Sequence, residues 1–302
     1  MTETAPIALF VYNRIEHTKK TIETLSANRL AKQSVLYIFS DGAKNEESKL
    51  AVSQLREYIN NIDGFKEINI IERNENFGLA KSIITGVTEV ISSHGKIIVL
   101  EDDLLLSPHF LKYMNDALNI YENEEKVACI HGYVYPVKNK LPETFFIRGA
   151  DCWGWATWRR GWEIFEPDGK KLLQELKEKK LRKRFDLNYS YNFTKMLEDQ
   201  VSGKNNSWAI RWHASVFLKN KFTLYPGKSL VHNTGLDNSG THCDETNIYD
   251  INISLKEIEI ENIPLEESTI ALKEFELFFK GPKSFLGVKS LRSKIIKSIT
   301  RT

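Results

Sequence analysis

The chain has 302 residues, 27% of them charged, and a formal net charge of +2. That length can bury a large core in one domain or two. The composition excludes a low-complexity chain, and a charge so near zero argues against a nucleic-acid partner. Cys129, Cys152 and Cys243 are odd in number, far apart and without a CxxC pair. This excludes a disulfide framework or a thiolate zinc site and fits a reducing cytosol. The opening "MTETAPIALFVYNR" lacks a basic segment followed by a long apolar core. No apolar run reaches spanning length, so the expectation is a cytoplasmic protein.

Short apolar runs alternate with helical patterns through the first third. "IALFVY" (residues 7–12) predicts a buried strand, and "HTKKTIETLSANRL" a helix with Thr21, Ile22 and Leu25 on one side. "SVLYIFS" (residues 34–40) predicts a second strand. Residues 45–61 predict a helix on which Leu50, Leu55, Tyr58 and Ile59 share a face. "EINIIE" is a third strand, "GLAKSIITGVTEVISSHG" a helix ended by Gly95, and "KIIVL" a fourth strand. Strands and helices in this alternation mean βαβ units and a mostly parallel sheet, covered on both faces. In "SPHFLKYMNDALNIY", Ser107 is the expected N-cap and Pro108 the first helical residue.

Beyond Val127 the pattern changes. Aromatic residues crowd "DCWGWATWRRGW", and "KKLLQELKEKKLRKRF" predicts a charged helix. A Gly/Asn/Ser-rich loop closes "SLVHNTGLDNSGTHC". From about Pro264 the chain reads as a helical, loosely attached tail.

Three strand ends are polar: Tyr12-Asn13-Arg14, "SDGAK" (residues 40–44) and Glu101-Asp102-Asp103. Ligands of open parallel α/β sheets bind beyond the carboxyl ends of the strands, so these ends are expected to meet in one crevice. Adjacent acids there suit a hard divalent cation, with phosphate oxygens completing its shell. Arg14 and Lys81 can meet further phosphate charge, and Asp41 can accept hydrogen bonds from a base or ribose. The competing reading is that acids at strand ends cap helices or face water.

The segments "APIALFVYNR", "FSDGAK", "VLEDDLLLSPHFLKY", "GADCWGWATW" and "SWAIRW…YPGKSLVHNTGLDNSGTH", spanning roughly residues 5–245, resemble GT-A-fold glycosyltransferases. They are similar to bacterial sugar transferases related to the alpha-1,3-mannosyl-glycoprotein beta-1,2-N-acetylglucosaminyltransferase group. The resemblance implies an α/β fold, a Rossmann-like, mostly parallel sheet flanked by helices, with an acceptor-side subdomain and a helical C-terminal tail. It implies a nucleotide-sugar-binding half (residues 1–105), an acceptor and catalytic half (residues 106–262) and a basic tail (residues 263–302). The triplet "EDD" stands for that group's DxD motif. Asp103 would then ligate Mn2+ or Mg2+ on the donor diphosphate, while Glu101 and Asp102 face the donor sugar and ribose. Asp41 would bind the base, uracil first, and Asn13 and Arg14 would lie beside the nucleotide. "LVHNTGLDNSGTH" would be a loop that orders over the donor, with His232 or His242 reaching the metal or diphosphate.

One departure matters. The eukaryotic relative carries its catalytic base between two tryptophans, where this chain reads Trp208-Ala209-Ile210-Arg211-Trp212 and has no acid. Asp151, before the "CWGW" loop, is the first choice for the base, and His213 the second because an imidazole titrates near neutrality. Trp208, Arg211 and Trp212 are expected on the acceptor side. Trp153 or Trp155 is expected to stack on an acceptor sugar, and Trp158 and Trp162 to lie in the core.

The implied activity is metal-dependent, inverting transfer of a hexosyl or N-acetylhexosaminyl group. The donor would be a UDP-sugar, the acceptor a glycan or lipid-linked sugar, in bacterial surface polysaccharide synthesis. A sugar nucleotidyltransferase is the alternative in a related class, but "YNRIEHTKK" lacks the glycines of a phosphate loop. A non-catalytic carbohydrate-binding module would explain the tryptophans and the missing acid, but not acids at adjacent strand ends. From Lys280 to Thr302 the tail has no acid, and Val288, Leu291, Ile295 and Ile299 recur at helical spacing. An anionic membrane surface is thus one expected partner, placing the enzyme at the inner face of the plasma membrane; a helix packed on the catalytic domain with a solvated basic face is the alternative.

Overall fold

The computed structural model of the chain describes residues 4–237 and 247–281. The first part is β1 (Ile7–Val11), α1 (Ile15–Ser26), β2 (Val35–Ser40), α2 (Glu46–Ile59), β3 (Glu67–Glu72), α3 (Gly78–His94) and β4 (Lys96–Glu101). All four strands are parallel. β1 lies between β2 (Ile7 beside Leu36) and β4 (Ile7 beside Ile98), and β3 pairs on the outer side of β2. The pleat divides the apolar residues between two faces. Ile7, Leu9, Ile98 and Leu100 join the core under α1 and α4 (Phe110–Ile120). Ala8, Phe10, Ile97 and Val99 join the core under α3. Burial on both faces explains the unbroken apolar runs.

After β4 come β5 (Leu104–Leu106), α4, β6 (Val127–His131), β7 (Thr144–Arg148) and β8 (Trp155–Trp158). Helices α5 (Arg159–Trp162), α6 (Gly169–Glu178), α7 (Arg182–Phe185), α8 (Phe193–Val201) and α9 (Trp208–Leu218) follow. β9 (Phe222–Pro226), β10 (Val231–Asn233) and α10 (Thr269–Lys280) complete the described elements. β8 runs antiparallel to β4 and carries the sheet onward in the order β3-β2-β1-β4-β8-β6-β9-β7. This second half is mixed, with β6 and β9 parallel and β7 antiparallel to β9. β5 and β10 form a separate antiparallel pair in which His232 faces Leu105. The expected α/β sheet flanked by helices is present. Among the described residues no helix is long and apolar enough to cross a membrane.

Four local expectations need correction. Leu50 is 69% exposed, and α2 buries Val52, Leu55 and Ile59 instead. At 100° per residue, Leu50 lies about 200° around the helix from Val52. Ser107 does not cap α4 directly. Its Oγ accepts the His109 N–H at 3.2 Å, a turn intervenes, and helical geometry starts at Phe110. The charged helix breaks in two at Lys180, which has φ 54°. The start of the C-terminal tail is firmly docked: Ser268 caps α10, Phe275 is buried against Phe145 and Tyr225, and Glu274 accepts from Asn139 Nδ2 at 2.7 Å. The expected membrane-facing stripe and most of its basic residues lie outside the described residues, as does His242.

Candidate active site

β1 and β4 are neighbouring parallel strands, with Phe10 beside Glu101. Their carboxyl ends therefore deliver Arg14 and the three acids to one place. Past Glu101 the chain turns through Asp102 and Asp103 into β5, and Thr21 of α1 pins that turn. Its Oγ1 donates to the Asp102 carbonyl at 2.8 Å and accepts the Leu104 N–H at 3.2 Å. The loop after β10 closes the other side, with Thr234 N–H and Oγ1 both donating to the Asp103 carbonyl, at 2.8 and 3.0 Å.

Within this frame, Arg14 Nη2 donates to Asp102 Oδ1 and, at 2.8 Å, to Asp103 Oδ2. Asp102 and Asp103 are 5% and 8% exposed. Burial, then the Asp103 and Asp102 charges, push the Glu101 carboxyl up to about 8. Burial pushes Asp102 up to about 6 against the opposing pull of Arg14. One guanidinium among three carboxylates leaves two negative charges uncompensated when all are ionised. Asp103 Oδ1 is buried without a hydrogen-bond partner among the described residues. An orphaned carboxylate oxygen in an under-compensated acidic cluster fits a hard divalent cation such as Mn2+ or Mg2+. No group of three His, Cys, Asp or Glu is arranged as a ready chelate among the described residues. The cation would thus take few protein ligands and the rest of its shell from phosphate and water.

Other expected donor-side residues are placed differently. Asp41, at the end of β2, uses its carboxylate inside the protein. It accepts N–H groups from Gly42 (3.0 Å), Phe77 (2.8 Å) and Gly78 (2.9 Å), and the Asn76 side-chain amide (3.1 Å). Four donors fill the acceptor sites of a carboxylate, so Asp41 caps α3 and is not free for a base. The adjacent glycine has the same purpose, since a Cβ on Gly42 would lie 2.4 Å from the Glu75 carbonyl carbon. Lys81 is exposed on α3, with its Nζ 3.7 Å from the Phe77 ring centre and 3.9 Å from Glu75, turned to the loop and not to the acids. Asn13 is half-buried just before Arg14. Just beyond the β5–β10 pair Thr234 meets Asp103, while within it His232 Nδ1 lies 3.5 Å from the Ile251 nitrogen.

The expected acceptor-side residue Asp151 lies on the turn between β7 and β8. Asp151 accepts from Tyr135 Oη at 2.7 Å and from the Cys152 N–H at 2.9 Å. The next N–H, of Trp153, donates to His131 Nε2 at 3.1 Å. Burial raises the Cys152 thiol pKa well above its ordinary value, and Asp151, Glu101 and Asp103 add to the rise. Asp151 and the acidic cluster therefore act on one and the same side chain. Trp153 is half-buried against Tyr133 and Tyr249.

Several expected acceptor residues are structural. Trp155 is 1% exposed, stacked on Trp208 at 5.5 Å and 5.7 Å from Trp212. All three rings sit in the core under α3, so none of them can stack on an acceptor; Trp162 joins them as expected. Arg211 is buried and donates to the Ser207 and Pro167 carbonyls. His213 Nδ1 lies 2.7 Å from the Ala150 carbonyl, its ring stacked on Phe193 at 4.4 Å. Burial lowers its pKa below the usual imidazole value. His213 braces the turn that carries Asp151, its ring half-buried among Phe185, Phe193 and Phe217. Tyr135 lies outside every segment singled out in the sequence, whereas Thr234 and Gly235 belong to "LVHNTGLDNSGTH", the loop expected over the donor, without being individual candidates.

A family model described as "Glycosyl transferase family 2" matches residues 7–180. A comparison with curated proteins finds no match. Among solved structures, the chain is similar to a mannosyltransferase from Pyrobaculum calidifontis in complex with GDP-Man and Mn2+. That similarity has 13% identity, a TM-score of 0.32, and covers 44% of this chain and 35% of the other. The S. aureus protein TarS matches at 11% identity and a TM-score of 0.43, over 78% of this chain and 37% of its own. The chain thus spans little more than a third of either protein. The family match covers more than half of the chain, and it takes in the acidic strand end, Arg14 and Asp151: the chain belongs to glycosyl transferase family 2.

Proposed function

We propose that this glycosyltransferase moves a sugar from a nucleoside-diphosphate sugar to an acceptor hydroxyl with inversion, using Asp103 with Mn2+ or Mg2+ and Asp151 as base. The observation that carries this is the Asp103 Oδ1, buried without a hydrogen-bond partner among the described residues, just past the end of β4 beside Arg14. The cation, when bound, offsets charge on the diphosphate leaving group. Arg14 lies where it can exchange a carboxylate for a phosphate oxygen. Asp151 Oδ1 or Oδ2 takes the acceptor hydroxyl proton. The acceptor oxygen bonds to C1 of the sugar, the bond from C1 to the diphosphate oxygen breaks, and the nucleoside diphosphate leaves with that electron pair. A single displacement of this kind inverts the anomeric centre. The missing acid of the tryptophan segment is consistent with a base elsewhere, because Trp208 and Trp212 of α9 are turned into the core.

A UDP-sugar is the first donor to test, and synthesis of a bacterial surface glycan is the proposed setting. The argument for uracil from Asp41 is weakened by that residue's four internal donors. Calorimetry with UDP, GDP and their sugars, each with and without Mn2+, tests the reading. Binding of one nucleotide series that requires the metal supports it. Failure of every nucleotide to bind with Mn2+ present refutes it.

A further inference from the structure

We propose that His131 is a positioning residue for Asp151: with Nε2 unprotonated it holds the Trp153 N–H and so fixes the turn that carries the carboxylate, and a proton on Nε2 releases that turn. This rests on the transferase reading in which Asp151 is the base. His131 ends β6 and is fully buried. Trp153 N–H donates to its Nε2 at 3.1 Å. A ring nitrogen accepts only where it carries no proton, so the neutral ring must hold its proton on Nδ1. That Nδ1 is buried without a hydrogen-bond partner among the described residues. An unpaired buried N–H is costly, and a phenylalanine in its place would avoid the cost. A phenylalanine would also leave the Trp153 N–H without this acceptor. The Nε2 lone pair is therefore what a buried imidazole supplies here and an apolar ring cannot.

The turn is held from both sides of Asp151. Next to His131, the Gly132 N–H donates to the Gly154 carbonyl at 2.7 Å, and a Cβ on Gly132 would lie 3.0 Å from that oxygen and 2.7 Å from Phe110 Cε2. Before Asp151, His213 Nδ1 lies 2.7 Å from the Ala150 carbonyl. The two histidines respond differently to acid. His213 faces a carbonyl, so its Nδ1 donates whether the ring is neutral or charged. His131 faces an N–H, so a proton on Nε2 sets donor against donor. Acid therefore breaks the His131 side of the turn and spares the other. Burial holds the His131 pKa below the ordinary 6.5, against the pull of the Asp151 charge. Tyr133 and Tyr225 of β9 pack on the ring at 6.3 and 5.0 Å, and burial raises both phenol pKa values, so they face it uncharged. The turn is thus held at neutral pH and released as pH falls through the lowered His131 value.

The test is NMR on the full chain carrying isotope-labelled histidine and tryptophan, titrated between about pH 5 and about pH 8, where histidine changes charge. The His131 signals are those missing in His131→Gln, and the Trp153 amide is the one missing in Trp153→Phe. The expected result is a neutral ring protonated on Nδ1 at the upper end, and a Trp153 amide that shifts as Nε2 takes up its proton. That shift should vanish in His131→Gln. A neutral ring protonated on Nε2, or a Trp153 amide that ignores His131, overturns the proposal. Turnover is read as UDP release from UDP-glucose, UDP-galactose and UDP-N-acetylglucosamine with Mn2+, with water or methyl glucoside as acceptor. His131→Phe should lower kcat roughly tenfold, as expected for one lost hydrogen bond to the turn, with UDP affinity unchanged. His131→Gln, whose amide oxygen can accept, should recover most of that loss and move the acid limb of the pH profile to lower pH. Wild-type kcat in His131→Phe, or no recovery in His131→Gln, overturns the role of His131 while a slow Asp151→Asn keeps the base. Wild-type kcat in Asp151→Asn, or no turnover of any donor, counts against the transferase reading instead, and the amide titration still decides whether His131 holds the turn.

Discussion

Arg14 Nη2 donates to Asp103 Oδ2 at 2.8 Å, while the other oxygen of that carboxylate is buried and unpartnered among the described residues. One side of Asp103 is neutralised by the protein, and the proposed cation would take the other. Asp103→Asn should therefore keep the fold and leave the metal-free melting temperature unchanged or higher, because it removes one of several crowded like charges. Metal-dependent nucleotide binding should be lost, and turnover should fall roughly 10²-fold or more, the scale of several kcal/mol of lost charge stabilisation. Wild-type turnover by this variant would remove the metal role.

The acidic cluster also predicts a pH dependence. Glu101 is pushed from an ordinary 4.5 up to about 8, and Asp102 from 3.8 up to about 6. Between the ordinary and raised values the folded protein holds protons that the unfolded chain has released. Stability of the metal-free protein from these groups is therefore present at low pH and lost as pH rises through about 8. Glu101→Gln should raise the melting temperature more at pH 8.5 than at pH 6. Mn2+ with UDP should stabilise the wild type more at the higher pH, since metal binding displaces protons. A Glu101→Gln difference that does not change with pH would contradict this electrostatic picture.

Asp41 gives a third expectation. Its carboxylate holds three backbone N–H groups and one side-chain amide. Asp41→Ala strands them at the start of α3 and should cost about 2–3 kcal/mol in urea unfolding. Nucleotide affinity of the folded variant should stay close to wild type. Unchanged stability with lost UDP binding would restore a direct role at the base.

Much of this fold could be read along the chain because β1 and β4 are buried on both faces and leave continuous apolar runs. The site was readable to the extent that it depends on strand ends. Glu101, Asp102, Asp103 and Arg14 converge because β1 and β4 are neighbours, and a parallel sheet puts its ligand edge there. What failed depends on pairing across the chain. Asp41 caps a helix whose Phe77 N–H lies 36 residues later, beyond any local capping pattern. Trp153 and Trp155 are two residues apart with opposite fates. Trp155 enters β8 and meets Trp208 and Trp212 of α9, while Trp153 stays in the turn and meets Tyr249. Spacing within one element does not disclose which distant element it faces.

Asp151 should matter in the chemical step. Asp151→Asn keeps the size of the side chain and can still accept from Tyr135. It should lower kcat roughly 10²- to 10⁴-fold, the range for loss of a general base, with little change in donor Kd. His213→Gln should act mainly on stability, since His213 packs against Phe193 and the Ala150 carbonyl. Initial-rate kinetics over acceptor concentration separates the two variants. An unchanged kcat in Asp151→Asn together with a large loss in His213→Gln would reverse the assignment.

Gly235 tests whether space beside Asp103 is required as well as charge. A Cβ on Gly235 would lie 2.0 Å from Asp103 Oδ2, 2.8 Å from its Cγ and 3.1 Å from Arg14 Nη1. Atoms that close repel, so the carboxylate and the guanidinium must move to admit a methyl group. The backbone at Gly235 is held by its N–H donating to Asn233 Oδ1 at 2.7 Å, and Thr234 holds the Asp103 carbonyl. The side chains will therefore yield before the loop does. Gly235→Ala should leave the far-UV circular dichroism unchanged and weaken Mn2+-dependent nucleotide binding by roughly tenfold or more, which corresponds to about 1.4 kcal/mol of displaced charge contacts. Gly235→Ser should be at least as severe, because it adds an oxygen to the same methyl position. Calorimetric titration of UDP with Mn2+ into each variant gives the comparison. Wild-type affinity in both would mean that Asp103 Oδ2 and Arg14 are not part of the donor site, and would move the cation to another group.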